Sequence, residues 1–274
     1  MAGRAWSEFR GIACGIVLMI APLSLAGCGG EDENTYKEAS VEELYNAGMD
    51  SLAAGSYKQA AKNFEELDRQ HPYSVWATKA QIMAAFAYYQ ANKYDDAVIA
   101  LDRFIQLHPG HRDIAYAYYL RALCYYEQIQ DVGRDQRITE QALQGLADVA
   151  SRFPESPYAR DARLKVDLAV DHLAGKEMEI GRYYQRQHQY IAAINRYRTT
   201  IDRFQTTTHV AEALHRLVEC YLALGVQDEA QMAAAVLGHN YPGSDWYAES
   251  YYLLKGEDLR PARKQGSWLE RLFR

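Results

Sequence analysis

Few residues in this 274-residue chain are of types that could do chemistry, and their spacing suits it poorly. His108 and His111 bracket Pro109-Gly110, with Asp113 two residues further on. Imidazole and carboxylate together are the ligand types a divalent metal takes. A Pro-Gly between the rings puts them on a turn rather than on one helix face, and His71 before Pro72 shows the first histidine to be a recurring stop residue. No metal and no other cofactor is therefore expected. The carboxylate pairs Glu65-Glu66 and Asp95-Asp96 could in principle serve as acid and base. They read more simply as solvated faces or as partners of a helix N-terminus. The chain holds no phosphate-cradling glycine loop, no zinc-binding helix motif and no nucleophile elbow, so it is not expected to be an enzyme. A net charge of −6 argues against nucleic acid as a partner.

One cysteine does carry a chemical signature. Arg4 and Arg10 precede an uncharged run from Gly11 to Gly27, too short to span a bilayer comfortably. The run ends Leu25-Ala26-Gly27-Cys28, which resembles a bacterial lipobox. In such signals the peptide is cut before the cysteine and the cysteine is acylated, so residues 1–27 are expected to be a lipoprotein signal peptide. Three acyl chains on Cys28 would hold the protein far better than one. Gly29 stands where an aspartate tends to retain such proteins in the inner membrane. By that resemblance the destination is the inner leaflet of the outer membrane, facing the periplasm. Residues 28–39 are polar and acidic and read as a lipidated flexible tether.

The elements that follow are repeats. Ser40 with Glu43 makes a capping box. Tyr94 to Gly110 then reads as an amphipathic helix, with Ala97, Leu101 and Phe104 on one face and a hard stop at His108-Pro109-Gly110. The same pattern recurs in five units, each with an alanine twelve residues before the stop (Ala60, Ala97, Ala142, Ala193, Ala230) and a ring just before it (His71, His108, Phe153, Phe204, Tyr241). This matches the tetratricopeptide (TPR) helix-turn-helix pattern. The expected fold is all-α, a right-handed superhelix (solenoid) of five TPR repeats over residues 40–254. Its units span 40–72, 74–109, 112–154, 156–205 and 207–242, followed by a capping helix over 245–254. Stops are spaced 37, 45, 51 and 37 residues apart. The longer third unit is expected to hold a polar loop at 130–136. The longer fourth should hold one long helix from Pro157 to Gln187 that points Gly181, Tyr183 and Tyr184 at the next helix. Ser74, Ser156 and Ser244 are expected to cap the helices that follow the prolines. Cys124 and Cys220 lie two repeats apart on equivalent helices, too far for a disulfide, and are expected to be buried free thiols. Residues 255–274 form a basic C-terminal tail with an apolar cluster at Trp268, Leu269, Leu272 and Phe273.

The chain has 22 tyrosines. Their concentration on the first helices suits a groove for an extended peptide or a partner's sheet edge. The runs Ala87-Tyr88-Tyr89, Leu101-Asp102-Arg103-Phe104-Ile105, and Tyr116-x-x-Tyr119-Leu120-Arg121 resemble the BamD (ComL) family of outer-membrane assembly lipoproteins. So do Tyr183-Tyr184 and Ile194-Asn195-Arg196. The resemblance implies a non-enzymatic subunit of the β-barrel assembly (BAM) machinery. A groove at Tyr88, Tyr89, Asp102, Arg103, Tyr119 and Arg121 would receive the C-terminal strand of unfolded barrel precursors. Tyr184, Gln187, Asn195 and Arg196 would dock the POTRA domains of BamA, with other BAM subunits as further partners. The alternative is a TPR scaffold lipoprotein that organises peptidoglycan or cell-division factors.

Overall fold

Each second helix of a pair ends the same way. The stop residues His71, His108, Phe153, Phe204 and Tyr241 all leave the helix near φ −130°, ψ 50°, and each still donates its backbone N–H to the carbonyl four residues back. A proline or polar residue follows, and the chain reverses. The computed structural model describes residues 38–255. The expected signal peptide, Cys28, most of the tether, and the tail beyond Lys255 lie outside the described residues. Among the described residues, 39–255 form one unit.

Among the described residues there are eleven helices and no strand: α1 (Val41–Ala53), α2 (Tyr57–Gln70), α3 (Val75–Gln90), α4 (Tyr94–Leu107), α5 (Ile114–Tyr126), α6 (Arg137–Arg152), α7 (Ala159–Arg186), α8 (Tyr190–Arg203), α9 (Val210–Ala223), α10 (Gln227–Asn240) and α11 (Asp245–Lys255). Each packs on its sequence neighbours, with α1 on α3, α3 on α5 and α9 on α11 besides. That is the connectivity of stacked hairpins, and the fold is the expected TPR solenoid. The tight turns inside the first, second, fourth and fifth pairs each place one residue at positive φ: Gly55, Asn92, His188 and Gly225. The two non-glycines there share a device. Tyr94 Oη donates to Asn92 Oδ1 at 3.0 Å, and the Tyr190 hydroxyl lies 2.9 Å from His188 Nδ1. The third pair has a loop over 127–136 instead, as its extra length predicts.

The five alanines ahead of the stops are all fully buried. Above them runs a matched series of small and large residues sixteen positions apart. Gly48 faces Phe64 and Gly181 faces Tyr197, so closely that a Cβ on either glycine would lie within 2.5 Å of the ring. The corresponding pairs are Ala85 with Leu101 and Val218 with Ala234, each within one core cluster. Wherever one helix carries a ring, its partner carries no side chain, and this keeps each pair close. α7 is one continuous helix of 28 residues, unbroken at Gly175. It turns Gly181 and Tyr184 toward α8, but Tyr183 faces outward, 54% exposed. The Ser40 capping box forms, and Ser74 and Ser244 cap α3 and α11. Ser156 does not cap: Pro157 follows it and delays α7 until Ala159, so Tyr158 takes the N-cap without a side-chain bond. Cys124 and Cys220 are free and buried, and burial pushes both thiols up to about 12.

Candidate functional site

A cleft of about 190 Å³ opens between α2 and α4, with α3 as its floor. Phe64, Ala84, Ala100 and Ile99 give it an apolar lining, and Glu65, Asp68, Asp96, Gln81, Tyr88 and Arg103 rim it. Tyr88 Oη donates to Glu65 Oε1 at 2.8 Å. Burial, with Glu65 alongside, raises the phenol well above its usual value, so it stays a donor at any physiological pH. Gln81 Nε2 donates to Asp68 at 2.8 Å, and His108 Nε2 lies 3.1 Å from the Gln81 amide oxygen. Arg103 reaches Asp68 at 3.4 Å, yet its side chain remains 66% exposed. Asp68 is held by Gln81 as well, so Arg103 can leave it at little cost, as exposed pairs generally allow. The cleft thus offers an apolar slot, two acceptors held in place and one largely exposed guanidinium.

The other residues expected in this groove lie elsewhere, because neighbours on a helix point about 100° apart. Asp102 does not join Arg103; it turns to α5 and accepts from Arg121 at 2.8 Å. Arg121 is also packed over Tyr118, whose ring Arg152 approaches from α6. That pair therefore ties the second unit to the third. Tyr89 donates to Glu127 at 3.3 Å, and burial lifts its phenol to about 12. Tyr119 stacks on Tyr158, 5.1 Å between centroids, and donates to Asp161. Lys165, bonded to Asp161 at 2.8 and 2.9 Å, holds that carboxyl below its usual range together with the Tyr119 bond. The six residues form one cleft at Tyr88 and Arg103, one strut at Asp102 and Arg121, and separate contacts at Tyr89 and Tyr119.

Three of the four expected docking residues do meet. Tyr184, Asn195 and Arg196 line a cleft of about 210 Å³ with Ala192 and Thr199. Arg196 is held by Glu177 on α7 at 3.1 Å and is 42% exposed. A shallower apolar recess at Tyr190, Ile191 and Leu224 shares Ala192 and Asn195 with it. Gln187 is exposed at the C-cap of α7, one turn away, and lines neither recess.

The sequence takes Glu65 only for part of a solvated face or a helix-terminus partner, and it does not single out Asp68, Gln81, Ile99 or Glu177. The repeat register carried a signal for Glu65, which stands 37 residues before Asp102, the same place in the preceding unit.

A family model described as an outer membrane lipoprotein (YfiO) matches residues 37–237, which contain both clefts. The chain belongs to this family. It is 49% identical over 250 residues to the outer membrane protein assembly factor BamD of Caulobacter vibrioides, covering 90% of this chain and 82% of that one. To the BamD of Rickettsia prowazekii it is 46% identical over 238 residues, covering 87% and 95%. To that of Neisseria meningitidis serogroup A it is 34% identical over 244 residues, covering 85% and 91%. BamD membership carries the coarse role, a factor in outer-membrane protein assembly that belongs to the BAM complex.

Proposed function

We propose that this BamD-family chain is a non-enzymatic receptor and dock, held to the inner leaflet of the outer membrane through acylated Cys28 and facing the periplasm. The cleft at Tyr88 and Arg103 receives the C-terminal strand of an unfolded β-barrel precursor. The single observation that carries this reading is the form of that cleft. An apolar slot beside a Tyr88–Glu65 pair and a largely exposed arginine suits an extended chain, which presents alternate side chains and free backbone groups. The strut at Asp102 and Arg121 keeps the second and third units in register beneath it.

The recess at Tyr184, Asn195 and Arg196 docks the POTRA domains of BamA, with exposed Ile191 and Leu224 supplying apolar contact. The experiment is a pull-down with Arg196→Glu. Its ion pair with Glu177 is part-exposed, so reversal should cost no more than about 1 kcal/mol of stability while placing like charges together at the recess. BamA recovery should fall severalfold while the helical circular dichroism is unchanged. Unaltered recovery would refute the docking assignment.

A further inference from the structure

The turn between α2 and α3 is unlike the other four. At its third residue the five units carry Tyr73, Gly110, Glu155, Thr206 and Gly243, and at its fifth Val75, Arg112, Pro157, Thr208 and Asp245. The fold therefore accepts small or polar residues at both places. Only the first unit puts an aromatic and a branched aliphatic side chain there, and it buries neither: Tyr73 is 101% and Val75 90% exposed. Trp76 beside them is 44% exposed, packed on Tyr45 at 4.7 Å. Lys79 Nζ lies 5.1 Å from the Tyr45 ring and 5.5 Å from that of Trp76. A groove of about 300 Å³ joins Val75, Trp76 and Lys79 to His111, Arg112 and Asp113 on the next turn. Asp113 pairs with Arg112 at 3.4 Å, so Lys79 leaves this edge positive.

The same turn receives the tether. Ala39 donates its N–H to Gln70 Oε1 at 3.0 Å, and its carbonyl lies 2.8 Å from His71 Nε2. His71 is two residues from Tyr73. Cys28 precedes Ala39 by eleven residues, a reach of at most about 40 Å fully extended. Chain length alone therefore keeps this edge near any bilayer that holds Cys28, whereas the later turns are under no such constraint.

We propose that this edge is a second membrane contact, in which Tyr73, Val75 and Trp76 enter the lipid headgroup region while Lys79 and Arg112 face anionic headgroups. Tyrosine and tryptophan favour that region because one end of each ring system is apolar and the other wet. Lysine and arginine reach it with apolar stems and charged ends. The contact would set the orientation of the first unit on the membrane, which attachment at Cys28 alone does not fix. The proposal rests on the acylation of Cys28.

The test uses the acylated full-length protein reconstituted alone in phosphatidylethanolamine–phosphatidylglycerol vesicles. An environment-sensitive fluorophore is placed at Tyr73→Cys or, as control, at exposed Thr206→Cys, since Cys124 and Cys220 are buried. The label at 73 should shift to the blue and be quenched by nitroxide lipid, while that at 206 stays in water. In parallel, the mature chain with Cys28→Ser is titrated with the same vesicles. Tyr73→Ser with Val75→Ser, both too exposed to affect folding, should weaken its partitioning about tenfold, the factor for 1.4 kcal/mol of lost contact. Equal aqueous access at 73 and 206, or unchanged partitioning of the double variant, would overturn the proposal. A shift at 73 that needs an added protein partner would overturn it too, and would make the edge a protein contact. An acylated preparation that fails to float with vesicles would remove the anchor and this inference with it.

Discussion

Replacing Gly181 by alanine adds one methyl where the structure has no room for it. The new Cβ would lie 2.4 Å from Tyr197 Cε1, and Tyr197 is fully buried among Met178, Ala193, Leu217 and Val218. The ring cannot swing away, and its hydroxyl is tied to Gln185 at 2.7 Å. Overpacking of a filled core costs roughly 1–3 kcal/mol. Alanine regains about 1 kcal/mol over glycine within a helix. A Cβ this close to a ring that cannot move puts the cost in the upper part of the overpacking range, about 2–3 kcal/mol, so the net destabilisation is about 1–2 kcal/mol, a fall in Tm of about 3–6 °C for a domain of this size. Because α7 and α8 carry the two walls of the Tyr184–Arg196 recess, the docking of BamA proposed there should weaken as well. Gly110→Ala is the control, since nothing lies within 4 Å of a Cβ there. Tyr197→Leu should relieve Gly181→Ala by recreating the Ala85–Leu101 pair of the second unit. A double-mutant cycle by thermal and chemical denaturation should then show coupling of at least about 1 kcal/mol. Strict additivity, or a Gly181→Ala variant as stable as Gly110→Ala, would refute the small–large pairing as the device that sets helix spacing.

Other predictions follow from the same geometry. Glu219 is held at about 2, for although burial opposes its ionisation, bonds from His215, Gln185 and Arg216 outweigh that. A carboxyl depressed from 4.5 stabilises fully above about pH 4.5 and loses that contribution as pH falls toward 2. Glu219→Gln should therefore flatten the acid limb of a denaturation profile by about 2 kcal/mol, allowing for its solvent contact; an unchanged limb would contradict the assignment. Tyr88 packs against two core clusters, so Tyr88→Ala should cost about 2 kcal/mol. Tyr88→Phe should cost under about 1 kcal/mol and yet weaken precursor capture, which separates the phenol's role from the ring's. Asn92→Ala should cost about 1–2 kcal/mol, since it leaves φ 55° to a residue unsuited to it and removes the bond from Tyr94, measurable by urea titration.

The repeat architecture was legible because each unit repeats the same stop and the same buried alanine, and any single signal is confirmed by its copies. Ala97, Leu101, Phe104 and His108 fall as the periodicity of Tyr94 to Gly110 requires. The long α7 was legible from its uninterrupted register. Ser156 was misread because a serine after proline looks like a cap until the proline that follows it is taken into account. The site was less legible for a geometric reason. Asp102 and Arg103 are adjacent in sequence, and adjacency on a helix sends side chains to different neighbours, so one joins α5 and the other α2. The acids that shape the cleft, Glu65 and Asp68, belong to a different unit from Arg103, and only the packing of α2 and α4 on the same helix, α3, brings them together. Arg196, Asn195 and Tyr184 converge because the Gly181–Tyr197 contact sets α8 against α7 at the same level.

The most direct test of the central reading is photo-crosslinking from position 99 inside the cell. Ile99 lines the cleft and is 69% exposed, so a photoreactive side chain there disturbs no packing. The account predicts crosslinks to β-barrel precursors that disappear when the precursor's C-terminal strand is deleted and fall severalfold with Arg103→Glu. Crosslinks that persist without that strand, or that capture cell-wall or division factors instead, would contradict it.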